Sequence, residues 1–330
     1  MISNNDFQRE FDQLVNVLDD YSVERNDIIE LLLAMSYSNR YDFIPNRTHL
    51  KLVNLFCRSS GLIQELIHKF RYSPVDELID SIVLKSDLIE LNPLQFTDIM
   101  YDLKDKGYAT LPTRISNDLC QEVLNFASHQ EYTCIANIDS RNISYNSHGL
   151  SHLKTNTLAA SMVESCIHRS PLISRIINDP VLLSLAMFYL RCPIKLRSVS
   201  LWHSYVSSDG QAKGDLAQKF HFDLDEFRWL KVFIFLTDVT DQNGPHVFIP
   251  GSHRPGIKSS QLLSKGYVRI DDEDMRHFHP INTWQQITCQ SGTIVLADTR
   301  CWHKGTSVRS GIRSVLQPEY APSNFSKVAL

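Results

Sequence analysis

Lys219-Phe220-His221-Phe222-Asp223, followed by Leu230-Lys231-Val232-Phe233-Ile234-Phe235-Leu236-Thr237, is the stretch on which the fold turns. Both segments are short and rich in aromatic and β-branched residues, which predicts strands. Strand side chains alternate between faces. His221 and Asp223 therefore project to one side, where an imidazole and a carboxylate can take adjacent positions on one metal ion. Outward from this pair, the same grammar predicts strands over Leu196–Val206, His246–Ile249, Thr288–Gln290, Thr293–Ala297 and Ser314–Glu319. Gly210, Gly244-Pro245, Pro250-Gly251, Pro255-Gly256 and Gly292 separate them. Short strands punctuated by turn residues predict a barrel or jelly roll.

Upstream of Cys192 the period is helical. Phe7, Phe11, Leu14, Val15 and Leu18, then Ile28, Ile29, Leu32 and Leu33, recur at helical spacing. Helices are expected again over Leu50–Phe70 and Val75–Val83, the second opened by Ser73-Pro74. Another runs from Leu91-Asn92-Pro93 to about Lys106, and Gly107–Pro112 then reads as a strand. Ser116 caps a helix to about Ser128, and Ala159–Leu190 reads as helix interrupted near Pro171 and Pro180. Between these, the polar, aperiodic Asn137–Thr157, with His148 and His152, is expected to be a long lid or binding loop. Ser207–Ala217, with Gly210 and Gly214, is expected to be a second lid. The change of character at Leu91 divides the chain into a helical region, 1–90, for substrate recognition or oligomerisation, and a domain, 91–330, that carries the His-x-Asp pair.

The balance of 33 Lys and Arg against 37 Asp and Glu, a net charge of -4, supplies no global basic field for nucleic acid or an anionic membrane. No uninterrupted apolar run reaches the roughly 18 to 20 residues of a bilayer span, and Met1–Asp6 lacks the pattern of a secretory signal. The seven cysteines are odd in number, scattered and without a Cys-x-x-Cys pair, so neither a disulfide framework nor structural zinc is expected. A reducing cytoplasm is the expected setting; the oligomeric state is left open.

A third metal ligand must come from elsewhere, and His303, just after the strand Thr293–Ala297, is placed to supply it. Two histidines and one carboxylate leave three positions open on iron(II), which suits bidentate 2-oxoglutarate and O2. A lone His-x-Asp in a β-rich chain is often incidental. Its company raises its value: Arg313 follows His303 and offers a planar fork for the distal carboxylate of a dicarboxylate cosubstrate. Arg309 is its rival.

These residues resemble a family. Phe220-His221-Phe222-Asp223, Phe233–Val239 and Asn243-Gly244-Pro245-His246-Val247-Phe248-Ile249-Pro250-Gly251-Ser252-His253 look like the metal strand, following strand and Pro-Gly-Ser-His turn of the phytanoyl-CoA dioxygenase-like branch of iron(II)/2-oxoglutarate oxygenases. Gly292–Asp298, His303 and Gly311-Ile312-Arg313 look like its second half-site, so the likeness spans about Phe96 to Tyr320. It implies an α+β fold: a double-stranded β-helix (jelly-roll, cupin-like) core with flanking helices, preceded by the all-helical N-terminal region. It implies His221, Asp223 and His303 as iron ligands and Arg313 as anchor, with 2-oxoglutarate decarboxylated to succinate and CO2. It also implies hydroxylation of a small-molecule or carrier-linked substrate. Halogenating relatives have a small residue where Asp223 stands.

Other residues are weighed beside these. Lys231 shares a face with Phe233 and Phe235; it is expected either to point inward towards a carboxylate of 2-oxoglutarate or of the substrate, or to lie on the outer face. His203 and Tyr205 alternate on the preceding strand and are expected to line the pocket. His253 is expected to hold its turn by hydrogen bonding and Trp302 to pack. His246, His277 and His279 lack the paired geometry. The alternatives are a non-catalytic barrel with a binding or regulatory role and a cupin-type metalloenzyme independent of 2-oxoglutarate, against which Arg313 argues.

Overall fold

Arg313–Ala321 (β11), RSVLQPEYA, is buried along almost its whole length, and a strand of that kind must lie inside a sheet covered on both faces. It pairs antiparallel with Lys195–Ser204 (β5) on one side and Leu230–Phe235 (β6) on the other. The computed structural model describes residues 46–72, 82–138, 141–206 and 217–322, with single positions ahead of residue 46. Tyr108–Arg114 (β1), Glu131–Ile138 (β2), Arg141–His148 (β3), Thr157–Met162 (β4) and Thr293–Ala297 (β9) complete the large sheet, in the order β1-β9-β6-β11-β5-β4-β2-β3. A small sheet, β10-β7-β8, is made of His303–Gly305 (β10), His246–Phe248 (β7) and Gln285–Ile287 (β8). Phe233, Phe235, Val295 and Val315 of the large sheet share a core with Phe248 and Ile287 of the small one. This is the double-stranded β-helix.

The other face of the large sheet carries the helices. Leu201, Val232, Ile234, Leu296 and Leu316 form one core with residues of Pro93–Asp105 (α3), Asn117–Ala127 (α4), Pro171–Ile177 (α6) and Pro180–Leu190 (α7). The Ser116 cap is the one the sequence predicts. Asn92 and Gln95 form a reciprocal capping box, with Pro93 in the first turn of α3, and Ser116 Oγ accepts the Leu119 amide at 3.2 Å. Residues Pro171–Leu190 have the length and composition of a membrane span, with mean hydropathy 1.3. Yet this run is two helices, the first ending at Asn178 and the second capped by Asp179, and Ile173, Leu182, Leu185 and Leu190 are buried in the core.

Several expectations are corrected. Ala159–Met162 is not helical but belongs to β4, with Glu164–His168 (α5) following. Its alternation is hidden because both faces are covered, one by core and one by the cavity described below. Asn137–Thr157 is not a lid: most of it is the hairpin β2–β3, whose second strand is an exposed sheet edge and needs few apolar residues. Lys219–Asp223 makes only isolated bridges, Phe220 with Ile270 and His221 with His303; Thr288–Gln290 gives way to β8, with a bridge at Cys289; and His303 opens a strand of its own. The helices expected before residue 46, most of Val75–Val83 and positions 207–216 of the second lid lie outside the described residues. All seven cysteines are unpaired, as expected.

Asn46–Ser59 (α1) and Leu62–Arg71 (α2), broken at Gly61, belong to the 1–90 region but pack on the domain. Phe56 stacks on Phe222, between the two residues of the His-x-Asp pair, at 5.0 Å between ring centroids. Glu65 on α2 pairs with Arg300 at 3.2 Å and Arg228 at 3.6 Å. Burial alone would raise the Glu65 carboxyl, but the two guanidiniums outweigh it and hold it at about 2, below its ordinary 4.5. A depressed folded value contributes stability that is fully present above the unfolded value and is lost as pH falls. Glu65→Gln is therefore expected to cost about 2 to 3 kcal/mol at pH 7, the difference closing between pH 4.5 and 2. Urea unfolding of both proteins across that range checks it; a pH-independent difference would assign Glu65 a packing role.

Candidate metal centre

The bridge between His221 and His303, closed by amide-to-carbonyl bonds of 2.9 and 2.8 Å in each direction, brings the two histidines face to face from distant parts of the chain. Asp223, two residues on, joins them. One ligand atom from each of His221, Asp223 and His303 lies within 4.8 Å of the others, with His221 Nε2 3.9 Å and His303 Nε2 3.7 Å from the carboxylate oxygens. Both Nδ1 atoms are taken by main-chain carbonyls, His221 by Lys219 and His303 by Cys301, each at 2.9 Å. Nδ1 must then be the protonated nitrogen, which leaves both Nε2 lone pairs free for a cation. Burial pushes His221 down to about 3 and lowers His303, so both rings are neutral at physiological pH.

Lys231 points inward, where its partners among the described residues are carboxylates. Its Nζ lies 2.7 Å from Asp223, 2.9 Å from Asp225 and 3.4 Å from Glu319. Glu319 is also held by Arg197 at 2.7 Å. Burial opposes ionisation of Asp223, yet Lys231 and the histidines overcome it and hold the carboxyl well below the usual range. Three acids (Asp223, Asp225, Glu319) here face two bases (Lys231, Arg197). Burial and the Asp225 charge accordingly push Glu319 up to about 7. This end of the site is short of one positive charge, which a divalent cation on the triad supplies.

The opposite deficit lies at the other end. Arg313 is 7% exposed, donates to the Gly244 carbonyl and to Ser204 Oγ at 3.1 Å, and is pushed down to about 10 by burial, with no nearby charge contributing. A buried guanidinium without a counter-ion is costly, and it is aimed into a cavity of about 420 Å³ that the triad also lines. Gly305, two residues after His303, makes room for it: a Cβ there would stand 3.3 Å from the guanidinium nitrogens. Arg309 is exposed and lines a different, polar cavity with Asp241, Gln242 and Asp272. The donor set thus fits a divalent metal ion beside a dianion.

His203 and Tyr205 do not line this cavity. They lie on the other face of β5, where His203 bonds Tyr132 Oη at 3.1 Å and Ser314 Oγ at 2.8 Å, and Tyr205 packs against the helical core. The alternate residues Ser198, Ser200, Trp202 and Ser204 face the cavity instead. Asp225, Glu319, Arg197 and His246 were not foreseen in it. His246 Nδ1 is buried and has no hydrogen-bond partner among the described residues, and only its pairing opposite Gly305 could have indicated its place. Asp225 was detectable, since it continues the two-residue spacing of His221 and Asp223. His253 and Trp302 are buried; His253 hydrogen-bonds at its turn, to Cys301 Sγ at 3.6 Å and to the Lys104 main chain, and Trp302 packs against Phe222 at 4.8 Å.

A family model for phytanoyl-CoA dioxygenase (PhyH) matches residues 105–315, well over half of the chain. The chain belongs to the phytanoyl-CoA dioxygenase family. Enzymes of this family use iron(II), 2-oxoglutarate and O2, and its membership makes the protein an oxygenase-type enzyme. Among solved structures it is similar to the non-heme alpha-ketoglutarate-dependent epimerase SnoN from nogalamycin biosynthesis, at 15% identity over 69% of this chain and 84% of that one, TM-score 0.51. It is also similar to HygX from Streptomyces hygroscopicus, solved with nickel and 2-oxoglutarate bound, at 14% identity over 72% and 89%, TM-score 0.51. At such identities the likeness establishes the shared fold. No curated protein sequence matches the chain. The phytanoyl-CoA dioxygenase match includes His221, Asp223, His303 and Arg313 and begins after α1 and α2, which pack against it from outside the family boundary.

Proposed function

We propose that this protein is an iron(II)- and 2-oxoglutarate-dependent dioxygenase that hydroxylates a small-molecule or carrier-linked substrate. In this reading His221, Asp223 and His303 hold the metal and Arg313 anchors the distal carboxylate of 2-oxoglutarate. The observation that carries it is the pair of opposite charge deficits, the triad end lacking a cation and Arg313 lacking an anion, in one cavity. Metal and cosubstrate would supply the oxidising power, with 2-oxoglutarate converted to succinate and CO2 as O2 is consumed. The chain contributes position and dryness: the main-chain carbonyls fix both imidazoles, Arg313 sets the orientation of the dicarboxylate, and Phe233 and Val315 on the cavity wall exclude water. Through the Phe56 stack and the Glu65 ion pairs, the 1–90 region serves this same unit, shaping one side of the core behind the metal strand. Incubation with iron(II), 2-oxoglutarate and O2 should yield succinate, slowly alone and faster with substrate. A protein that binds neither metal nor 2-oxoglutarate would be a barrel with another role.

Lys231 has a positioning role in this reading. By bonding one oxygen of Asp223 it leaves the other turned to the metal, and its charge holds Asp223 ionised while also engaging Asp225 and Glu319. Lys231→Met removes a positive charge, which by itself favours a cation. It also strips Asp223 and Glu319 of their shared cation, which favours protonation that a metal must displace, and the second effect is the larger. Ni(II) affinity at pH 7 is expected to fall about 10- to 100-fold, the usual scale for losing a partner of a ligand. Tighter binding in calorimetric titration would mean that Lys231 opposes the metal and does not orient its ligand.

A further inference from the structure

The cavity floor is a ladder of same-face pairs across β5 and β11, and its chemistry changes along its length. Arg313 lies opposite Ser204, then Val315 opposite Trp202, Gln317 opposite Ser200 and Glu319 opposite Ser198. Every one of these residues lines the cavity. Successive rows are about 6.6 Å apart, on the scale of a six-membered sugar ring. The first row is the proposed cosubstrate end, and the last belongs to the Lys231 charge network. The two middle rows are uncharged.

Charge bookkeeping along the walls is closed. Asp223, Asp225 and Glu319 are engaged by Lys231 and Arg197, and the bound metal ion and 2-oxoglutarate would answer the triad and Arg313. Among the described residues no further buried charge lines the cavity to neutralise an ionic group of a substrate, and such a group would be buried there without a partner. Arg269, at the mouth, is exposed, and a cation in solvent needs no counter-ion. An acyl thioester carrying phosphates would want several such cations and an apolar channel for its chain.

Trp202 is 40% exposed although it lines the cavity, whereas Trp229 and Trp302 are fully buried. Its Nε1 donates to Ser200 Oγ at 2.7 Å, which satisfies the indole's polar atom and fixes the ring as a flat apolar surface. Ser198, Ser200 and Gln317 border that surface with uncharged donors and acceptors. A flat apolar patch ringed by hydroxyl and amide groups is complementary to a ring whose face is C–H and whose rim is hydroxyl. We infer, on the basis of the dioxygenase reading, that the substrate is a neutral hydroxyl-rich ring, a saccharide or cyclitol, seated on Trp202 between the cosubstrate and the Lys231 network.

The test uses the full chain with maltotriose, methyl β-galactoside and myo-inositol as neutral probes, and decanoyl-coenzyme A and lysine as contrasts. In the Ni(II) and 2-oxoglutarate complex a neutral probe should quench indole fluorescence, and in the iron(II) form it should raise succinate formation at least tenfold. Trp202→Ala should raise that probe's half-saturating concentration at least tenfold, with much of the loss recovered by Trp202→Phe. The inference is overturned if only decanoyl-coenzyme A or lysine responds, if no probe does, or if Trp202→Ala shifts half-saturation less than twofold. Failure of the wild type to bind Ni(II) and 2-oxoglutarate, visible before any probe is added, would overturn the dioxygenase reading as well.

Discussion

Asp223→Ala is expected to lower iron-dependent succinate formation by at least about a thousandfold, roughly 4 kcal/mol of lost transition-state stabilisation. Asp223 is the proposed carboxylate ligand, and it neutralises part of the metal's charge between two neutral imidazoles. Without it the remaining ligands are His221 and His303, whose Nε2 atoms alone hold a divalent ion weakly. The fold should survive. Lys231 keeps Asp225 and Glu319 as partners, so the loss of stability is expected at about 1 to 3 kcal/mol, below the usual cost of stranding a buried charge. Succinate assays paired with thermal unfolding separate the two effects. Near wild-type turnover in a folded variant would remove Asp223 from the metal site, and His221→Ala offers an independent check of the same assignment.

Arg313→Ala is expected to weaken 2-oxoglutarate binding by about 2 to 5 kcal/mol, or roughly 30- to 4,000-fold. Removing one member of a buried charge pair leaves the other stranded, here the distal carboxylate of the cosubstrate. The free protein should lose little stability, since Arg313 has no counter-ion among the described residues and its burial is already unfavourable. The thermal shift that 2-oxoglutarate produces in the wild type should therefore vanish while the baseline melting temperature stays close to its original value. Arg309→Ala should change 2-oxoglutarate affinity less than about threefold, because Arg309 is exposed and borders another cavity. Anaerobic titration of the metal complex compares them, and the reverse ranking would move the anchor to Arg309.

The candidate metal site was legible in the sequence because it rests on local rules. Two residues apart on an extended chain means one face, so His221-Phe222-Asp223 read directly as a candidate ligand pair, with Phe222 turned the other way into the core beside Phe56 and Trp302. His303 and Arg313 were legible by residue type and by their placement beside strands. The helix starts at Asn92 and Ser116 were legible too, because a cap acts within three residues of itself.

Which face of a strand meets the cavity was decided only in three dimensions. Alternation on β5 offers two sets, His203 with Tyr205 or Trp202 with Ser204, and local sequence ranks the polar-aromatic pair higher. The helices take the face carrying Val199, Leu201 and His203, so the cavity receives the other. Periodicity left Lys231 open between the inner and the outer face, and packing decided for the inner one, beside Asp225 and Glu319. The charge deficits at the two ends of the cavity also had to wait for the fold. They depend on which acids and bases share a low-dielectric space, as Glu319 and Lys231 do across β11 and β6, and Coulomb energy follows distance through space whatever the separation along the chain.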